Sequence, residues 1–411
     1  MGTNEDDKEK YDLYTEQVVL HPAKKYKWLI RIGKLLLFAV SVVIAATLFM
    51  VFLYPVLQKR IEEKNKDKNV IYIQKDNYIL AENQTAEYSD ILTEKDLKDN
   101  YEAAMAALRA KVEDVNKCVV SVDIEQPFSN VPTIESSQTE VAGLVVANVN
   151  STYLVLTSSS LLEPGMNYIV RLSDEVQTEA AFVCRNTASG IGIVSINASK
   201  LTAEQRNSIA VAQLDNSYMV KQGDLVIASG KLYETSKGVS YGTIAGSKVE
   251  YSKDSGYEVF ETSVSITAGG FAILFNSEGN VVGVSKASTD TSSKFIGISD
   301  LKAQIETMIN EHGIMYCGIT GQNVTEELAA KYGLPSGVYI SNVDIDSPAY
   351  YAGLQAGDVI NGQSVLTIQQ FSEKLYQCAD GEAMYVTAMR QGKDGYSDVA
   401  FSVSVQLKQL N

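Results

Sequence analysis

Between Cys118 and Ile298 the chain runs in short apolar segments separated by turn residues: CVVSVDI, VAGLVVANV, TYLVLTS, NYIVRLS, AAFVC, IGIVSI, DLVIASG, YGTIAGS and VFETSVS. Side chains on a strand alternate between two faces, so runs of this kind read as strands. Many short strands in succession point to a sandwich or to barrels. The 118–298 stretch is long enough for two small β-barrels packed face to face. Its last part is a hairpin in which Phe271 to Phe275 and Val281 to Val284 flank Asn276-Ser277-Glu278-Gly279-Asn280. The Asn and Gly of that turn tolerate the positive φ a tight reversal needs. Immediately before the hairpin stand Ala268-Gly269-Gly270.

With 411 residues the chain has room for two or three domains with real cores. Its 35 Lys and Arg against 50 Asp and Glu give a net charge of −15, which opposes nonspecific binding to nucleic-acid phosphates. Nucleic acid is therefore set aside as a partner. The four cysteines, Cys118, Cys184, Cys317 and Cys378, are widely spaced and form no CxxC pair, so neither a metal nor another cofactor is expected. Buried free thiols are the simpler reading, and a Cys317–Cys378 disulfide is the alternative outside the cytosol.

Residues 1–27 are polar and mixed in charge, as expected of a disordered cytoplasmic tail. Leu35 to Tyr54 then runs 20 residues without a charge, the length an α-helix needs to cross a bilayer. It is longer and further from the N-terminus than the apolar part of a cleaved signal peptide, so residues 28–57 are read as a retained transmembrane anchor. Trp28 and Tyr54 suit the two interfaces. Lys24, Lys25, Lys27, Arg31 and Lys34 precede the span and Lys59, Arg60, Lys64, Lys66 and Lys68 follow it, so charge alone leaves orientation open. Residues 58–117 form a stalk, with a short strand expected at Val70 to Ile73 and a helix from Glu94 to Asn116. Leu97, Tyr101, Met105, Leu108, Val112 and Val115 make a stripe on that helix, first expected to pack on the following domain.

The motifs of the β-rich stretch resemble those of HtrA-type, trypsin-like serine proteases. VNKCVVSVDI resembles the family's K-x-x-P-S-V-V-x-I, and GLVVANVNSTYLVLTSSSLL resembles G-x-I-I-x-x-x-G-Y-I-L-T-N-x-H-V-V. AFVCRNTASGIGIVSI is similar to V-x-x-x-D-x-x-T-D-L-A-V-L-K-I, while GDLVIASGKL with YGTIAGS resembles a segment that walls the cleft. The hairpin at 271–284 resembles the one that follows G-N-S-G-G-P. This resemblance implies a chymotrypsin-like double β-barrel at 118–298. It aligns Ser160 with the general base, Gly190 with the carboxylate that orients it and Ala268 with the nucleophile. All three would be degenerate triad positions.

No histidine lies between residues 22 and 311, so no shift of alignment restores an imidazole. A serine hydroxyl needs a nearby base to attack a carbonyl. The expected function is therefore a protease homologue that binds chains without cutting them. The alternative is an active endopeptidase with partner-supplied residues or a Ser-Lys dyad, for which Lys286 or Lys294 with Ser263 or Ser265 are the candidates.

Residues 299–313 read as a linker helix, with Leu301, Ile305 and Ile309 on one side and Gly313 as its C-cap. Residues 314–411 resemble a bacterial PDZ domain, an α+β module, through MYCGITG and SPAYYAGLQAGDVI. The resemblance makes Tyr316, Cys317, Gly318 and Ile319 the loop that binds a peptide carboxylate, with successive backbone N–H groups cradling the anion. Thr367 to Ala379 would be the helix lining the groove. The implied partners are peptide or protein C-termini and unfolded segments, the implied site is outside the cell membrane, and relatives of this family often form trimers.

Overall fold

The computed structural model describes residues 70–76, 94–124, 140–173, 176–233, 237–286, 288–362 and 365–410. The tail and anchor expected at 1–57 lie outside the described residues. Among those described, no helix is long and apolar enough to cross a membrane.

Two six-stranded closed barrels occupy the middle of the chain. The first comprises β1 (Val119–Ile124), β2 (Val141–Val149), β3 (Thr152–Ser158), β4 (Asn167–Ser173), β5 (Val176–Asn186) and β6 (Ile191–Asn197), closed in the order β1-β2-β3-β6-β5-β4. Its interior is filled by β-branched and aliphatic side chains such as Val122, Leu144, Val155, Leu156, Ile193 and Ile196, all fully buried. These residue types fit a pleated, half-buried surface. A 22-residue helix, α1 (Glu94–Val115), precedes β1 and packs on the barrel core through Leu108 and Val115, with Met105 and Val112 partly buried beside them. Tyr101, on the same stripe one turn earlier, stays 66% exposed.

The second barrel comprises β7 (Leu225–Gly230), β8 (Gly238–Ser252), β9 (Ser255–Ile266), β10 (Ala272–Phe275), β11 (Val281–Ser285) and β12 (Ser292–Gly297), closed as β10-β11-β12-β9-β8-β7. Between the barrels lies α2 (Ala203–Asn207), whose N-cap Thr202 and Gln205 form a reciprocal capping box. The barrels meet where the start of β2 approaches the edge formed by β7 and β10. A Cβ placed on Gly230 would lie 3.0 Å from the Ala142 Cβ and 2.5 Å from the Phe271 carbonyl.

Helix α3 (Ile298–Glu311) leaves the second barrel and buries Leu301, Ile305 and Ile309, as its spacing predicts. Its cap differs from the expectation: His312 takes the left-handed conformation, with φ 55°, and its N–H bonds to the Met308 carbonyl, while Gly313 already opens a strand. The segment 70–76 also differs. No strand forms there, and the chain is held instead by side chains of α3: Asn310 bonds both the N–H and the carbonyl of Ile71, and Glu306 accepts from the Ile73 N–H.

The C-terminal module has a two-stranded pair, β13 (Gly313–Tyr316) with β19 (Gln406–Gln409), and a five-stranded sheet. The sheet runs β14 (Ile319–Asn323), β15 (Val338–Val343), β16 (Val359–Ile360), β17 (Ala383–Gly392) and β18 (Gly395–Ser404), with β14 at one edge. After β14 come α4 (Glu326–Tyr332) and α5 (Pro348–Ala352), and α6 (Ile368–Tyr376) closes one side of the sheet through fully buried Ile368, Phe371 and Leu375. The N-cap of α6 is Thr367, again in a capping box, with Gln370.

Candidate functional site

The first candidate site is the set of three positions, Ser160, Gly190 and Ala268, that the alignment of motifs singles out on the two barrels. Ser160 is exposed just past the end of β3, and its hydroxyl lies 2.7 Å from that of Ser158. The neighbouring Ser159 N–H donates to the Gly190 carbonyl at 3.0 Å, so the chain brings these two positions side by side. Gly190 is buried and offers no side chain that could orient a base. Ala268 is exposed on the turn between β9 and β10. That turn is held by Thr267 N–H to the Leu232 carbonyl, 2.9 Å, and Gly269 N–H to the Ser288 carbonyl, 2.9 Å. The two halves are joined through Ala142: its carbonyl accepts from Thr157 Oγ1 at 2.7 Å, and its methyl abuts Gly230, which pairs with Ala272.

Of the other nucleophile and base candidates, Lys286, Lys294 and Ser263 are engaged elsewhere, while Ser265 is exposed on β9. Lys286 and Lys294 both place their ammonium groups on the Glu250 carboxylate, at 2.5 and 3.3 Å. The bond to Glu250 raises the Lys294 pKa, the opposite of what a lysine base needs. The Ser263 hydroxyl accepts from the Thr243 N–H at 2.9 Å. All four cysteines are free thiols, and burial pushes Cys118 and Cys184 up to about 12, far from the thiolate form at neutral pH.

The second candidate site is the loop between β13 and β14. The N–H groups of Cys317, Gly318 and Ile319 converge on one carboxylate, and it belongs to Asp254 at the tip of the β8–β9 hairpin. The distances are 3.0 Å from Cys317, 2.8 and 2.9 Å from Gly318 to the two oxygens, and 2.8 Å from Ile319. Gly318 makes this cradle possible: φ is +93° and a Cβ would sit 2.2 Å from the Ser347 Cβ. Tyr316 takes another role, pairing with Gln406 through its backbone and donating its hydroxyl to Asp344 at 2.8 Å.

Asp254 is 4% exposed, and burial raises its pKa to about 6. The three backbone N–H bonds pull the other way, and the nearby Asp344 charge adds to the rise. Asp254 was not among the residues singled out by sequence. Its own turn, Lys253-Asp254, is visible in the sequence, but its partners lie 63 to 65 residues away. A pocket of about 470 Å³ is lined both by Asp254 and Tyr316 and by Asn186 to Ala188, the turn that leads to Gly190.

Two closed barrels in tandem followed by a sheet with a carboxylate-binding loop define a trypsin-like peptidase fold joined to a PDZ domain. Residues 141–284 match the trypsin-like peptidase domain and residues 339–386 the PDZ domain. In this combination of domains the chain is similar to HtrA-type and DegP-like proteins. It is 26% identical over 253 residues to a protein of Pseudomonas savastanoi named "Probable periplasmic serine endoprotease DegP-like", a match covering 58% of this chain and 51% of the relative. A protein of the same name from Pseudomonas fulva is 28% identical over 217 residues, covering 50% of this chain and 44% of the relative. The chain thus spans about half the length of the curated relatives it matches. Among solved structures, "HtrA-type protease AlgW with decapeptide" superposes with a TM-score of 0.52 at 19% identity, covering 74% of this chain and 99% of that one. The same protease with a tripeptide gives 0.51 at 20% identity, covering 74% and 98%. At such identities the likeness is one of fold.

Proposed function

We propose that this protein is a non-catalytic, membrane-anchored relative of the HtrA-type proteases. It holds unfolded segments in the inter-barrel crevice and C-termini in the PDZ groove, as an adaptor, sensor or regulator in protein quality control. Residues 28–57 are its anchor and the barrels and PDZ domain lie outside the membrane, in keeping with the periplasmic location in the names of its relatives.

One observation carries this reading: no imidazole is available to the crevice. His21 and His312 are the only histidines, and His312 caps α3. Ser160, Gly190 and Ala268 stand at the base, orienting and nucleophile positions in the alignment of motifs, and none can perform those roles. The Ser-Lys alternative is weakened by the shared Glu250 partner of Lys286 and Lys294.

The test is incubation of the full chain with a serine-directed fluorophosphonate followed by intact-mass measurement. The unmodified mass is expected. A single adduct that disappears on one Ser→Ala change would establish an active serine and reject the reading.

A further inference from the structure

The β8–β9 hairpin does more than touch the PDZ domain: it occupies each element of a peptide-binding groove at once. An extended peptide bound in this mode adds a strand to a sheet edge, sets its carboxylate in a backbone cradle and lays side chains against the groove helix. Here β14 is the sheet edge, Lys253 bridges Thr320 in antiparallel register, and the Asp254 N–H donates to the Ile319 carbonyl at 2.8 Å. The Asp254 side chain fills the cradle with three N–H donors. On the helix side, Gly256 lies so close to α6 that a Cβ would come 2.2 Å from Ile368 Cγ2, and the Ser255 and Ser372 hydroxyls are 3.3 Å apart. Val249 packs on the PDZ core, and Lys253 pairs with Asp344 at 2.5 Å, beside the Tyr316 hydroxyl.

We propose that Asp254 is a built-in ligand of the carboxylate loop, and that a free peptide C-terminus enters the groove only by displacing the β8–β9 hairpin. This rests on the reading of the PDZ groove as a receptor for C-termini and adds what controls access to it. The exchange replaces like with like: one carboxylate leaves three N–H donors, another takes them, and no donor stays buried without a partner. The hairpin has the advantage of tethering, since an attached ligand competes at an effective concentration on the order of millimolar. A peptide must therefore bind the open groove well to be seen at all.

The experiment titrates the full chain with a fluorescent decapeptide ending in valine, as free acid and as amide, into wild type, Asp254→Ala and Asp254→Asn. Amide hydrogen exchange at Cys317, Gly318 and Ile319 is followed in parallel. The proposal expects the free acid to bind Asp254→Ala at least tenfold more tightly than wild type. It expects the three amides to lose protection in that variant and to regain it with peptide. Asp254→Asn keeps the side-chain volume and one acceptor, so it gives the same order of affinities should Asp254→Ala fold poorly. Equal affinity of wild type and both variants, or unchanged protection of the three amides, overturns the proposal while leaving the groove a receptor. Equal binding of acid and amide by the variants, or binding of neither, rejects carboxylate capture itself and the proposal with it.

Discussion

The two candidate sites fail to be ordinary in opposite ways. At the three positions that the alignment of motifs sets in the proposed crevice, Ser160 and Ala268 are exposed and Gly190 is buried, and their side chains are a hydroxyl, a methyl and a hydrogen. The carboxylate loop has all its donors in place, yet they are already taken by Asp254. A catalytic site depends on a few side chains that substitution removes without disturbing the backbone. A backbone cradle cannot be deleted that way, because its N–H groups belong to the fold, and it is silenced by filling it.

The largest effect expected is at the crevice. Restoring all three positions together, with Ser160→His, Gly190→Asp and Ala268→Ser, should raise the rate of fluorophosphonate labelling by at least roughly 10³-fold, measured by intact mass over time. The same variant lacking only the histidine should stay at the wild-type rate. If the triple variant is as inert as wild type, these three positions do not form one site.

The carboxylate loop should be more sensitive to shape than to chemistry. Gly318→Ala places a methyl against Ser347 in a left-handed backbone conformation, and should cost about 2–4 kcal/mol in chemical denaturation of the PDZ domain. Gly256→Ala pushes instead on Ile368 from the hairpin side, with an expected cost of about 1–3 kcal/mol. It should also raise hydrogen exchange at Cys317, Gly318 and Ile319. A change confined to the barrels would show that the hairpin does not bear on the loop.

The smallest effect is on pH dependence. Asp254 has a docked pKa of about 6 against an ordinary 3.8, chiefly through burial, so the docked state binds the proton more readily than the undocked one. Its contribution to docking is complete below pH 3.8 and is lost as pH rises through 6. Between pH 5 and pH 8 wild type should lose on the order of 1 kcal/mol of stability that Asp254→Asn does not lose. The groups facing Asp254, namely Asp344 with its Lys253 partner, Tyr316, Tyr257 and Tyr376, are present in both proteins and cancel in the difference.

Most of the barrel was legible because its strands bury alternate or continuous apolar residues. TYLVLTS and VAGLVVANV coincide with β3 and β2 residue for residue. Legibility ends where strands leave the core. YGTIAGS is only the middle of β8, which continues for five more residues through Lys248-Val249-Glu250-Tyr251-Ser252. VFETSVS likewise omits the first residues of β9. The end of β8 is polar and half-exposed and the start of β9 is buried against the PDZ domain, and no local pattern announces a partner so far along the chain. Val70 to Ile73 misled for a related reason, since the run is continuously apolar but its backbone is satisfied by Asn310 and Glu306 side chains. At the end of α3, a glycine beside the terminus suggested the cap, but the left-handed position fell one residue earlier, on His312.

The central claim is that the crevice grips without cutting, and a time course of casein with the full chain tests it most directly, reading new N-termini by mass spectrometry. The account predicts that casein stays intact while remaining bound. New termini that accumulate with wild type and vanish with a single serine substitution would contradict it.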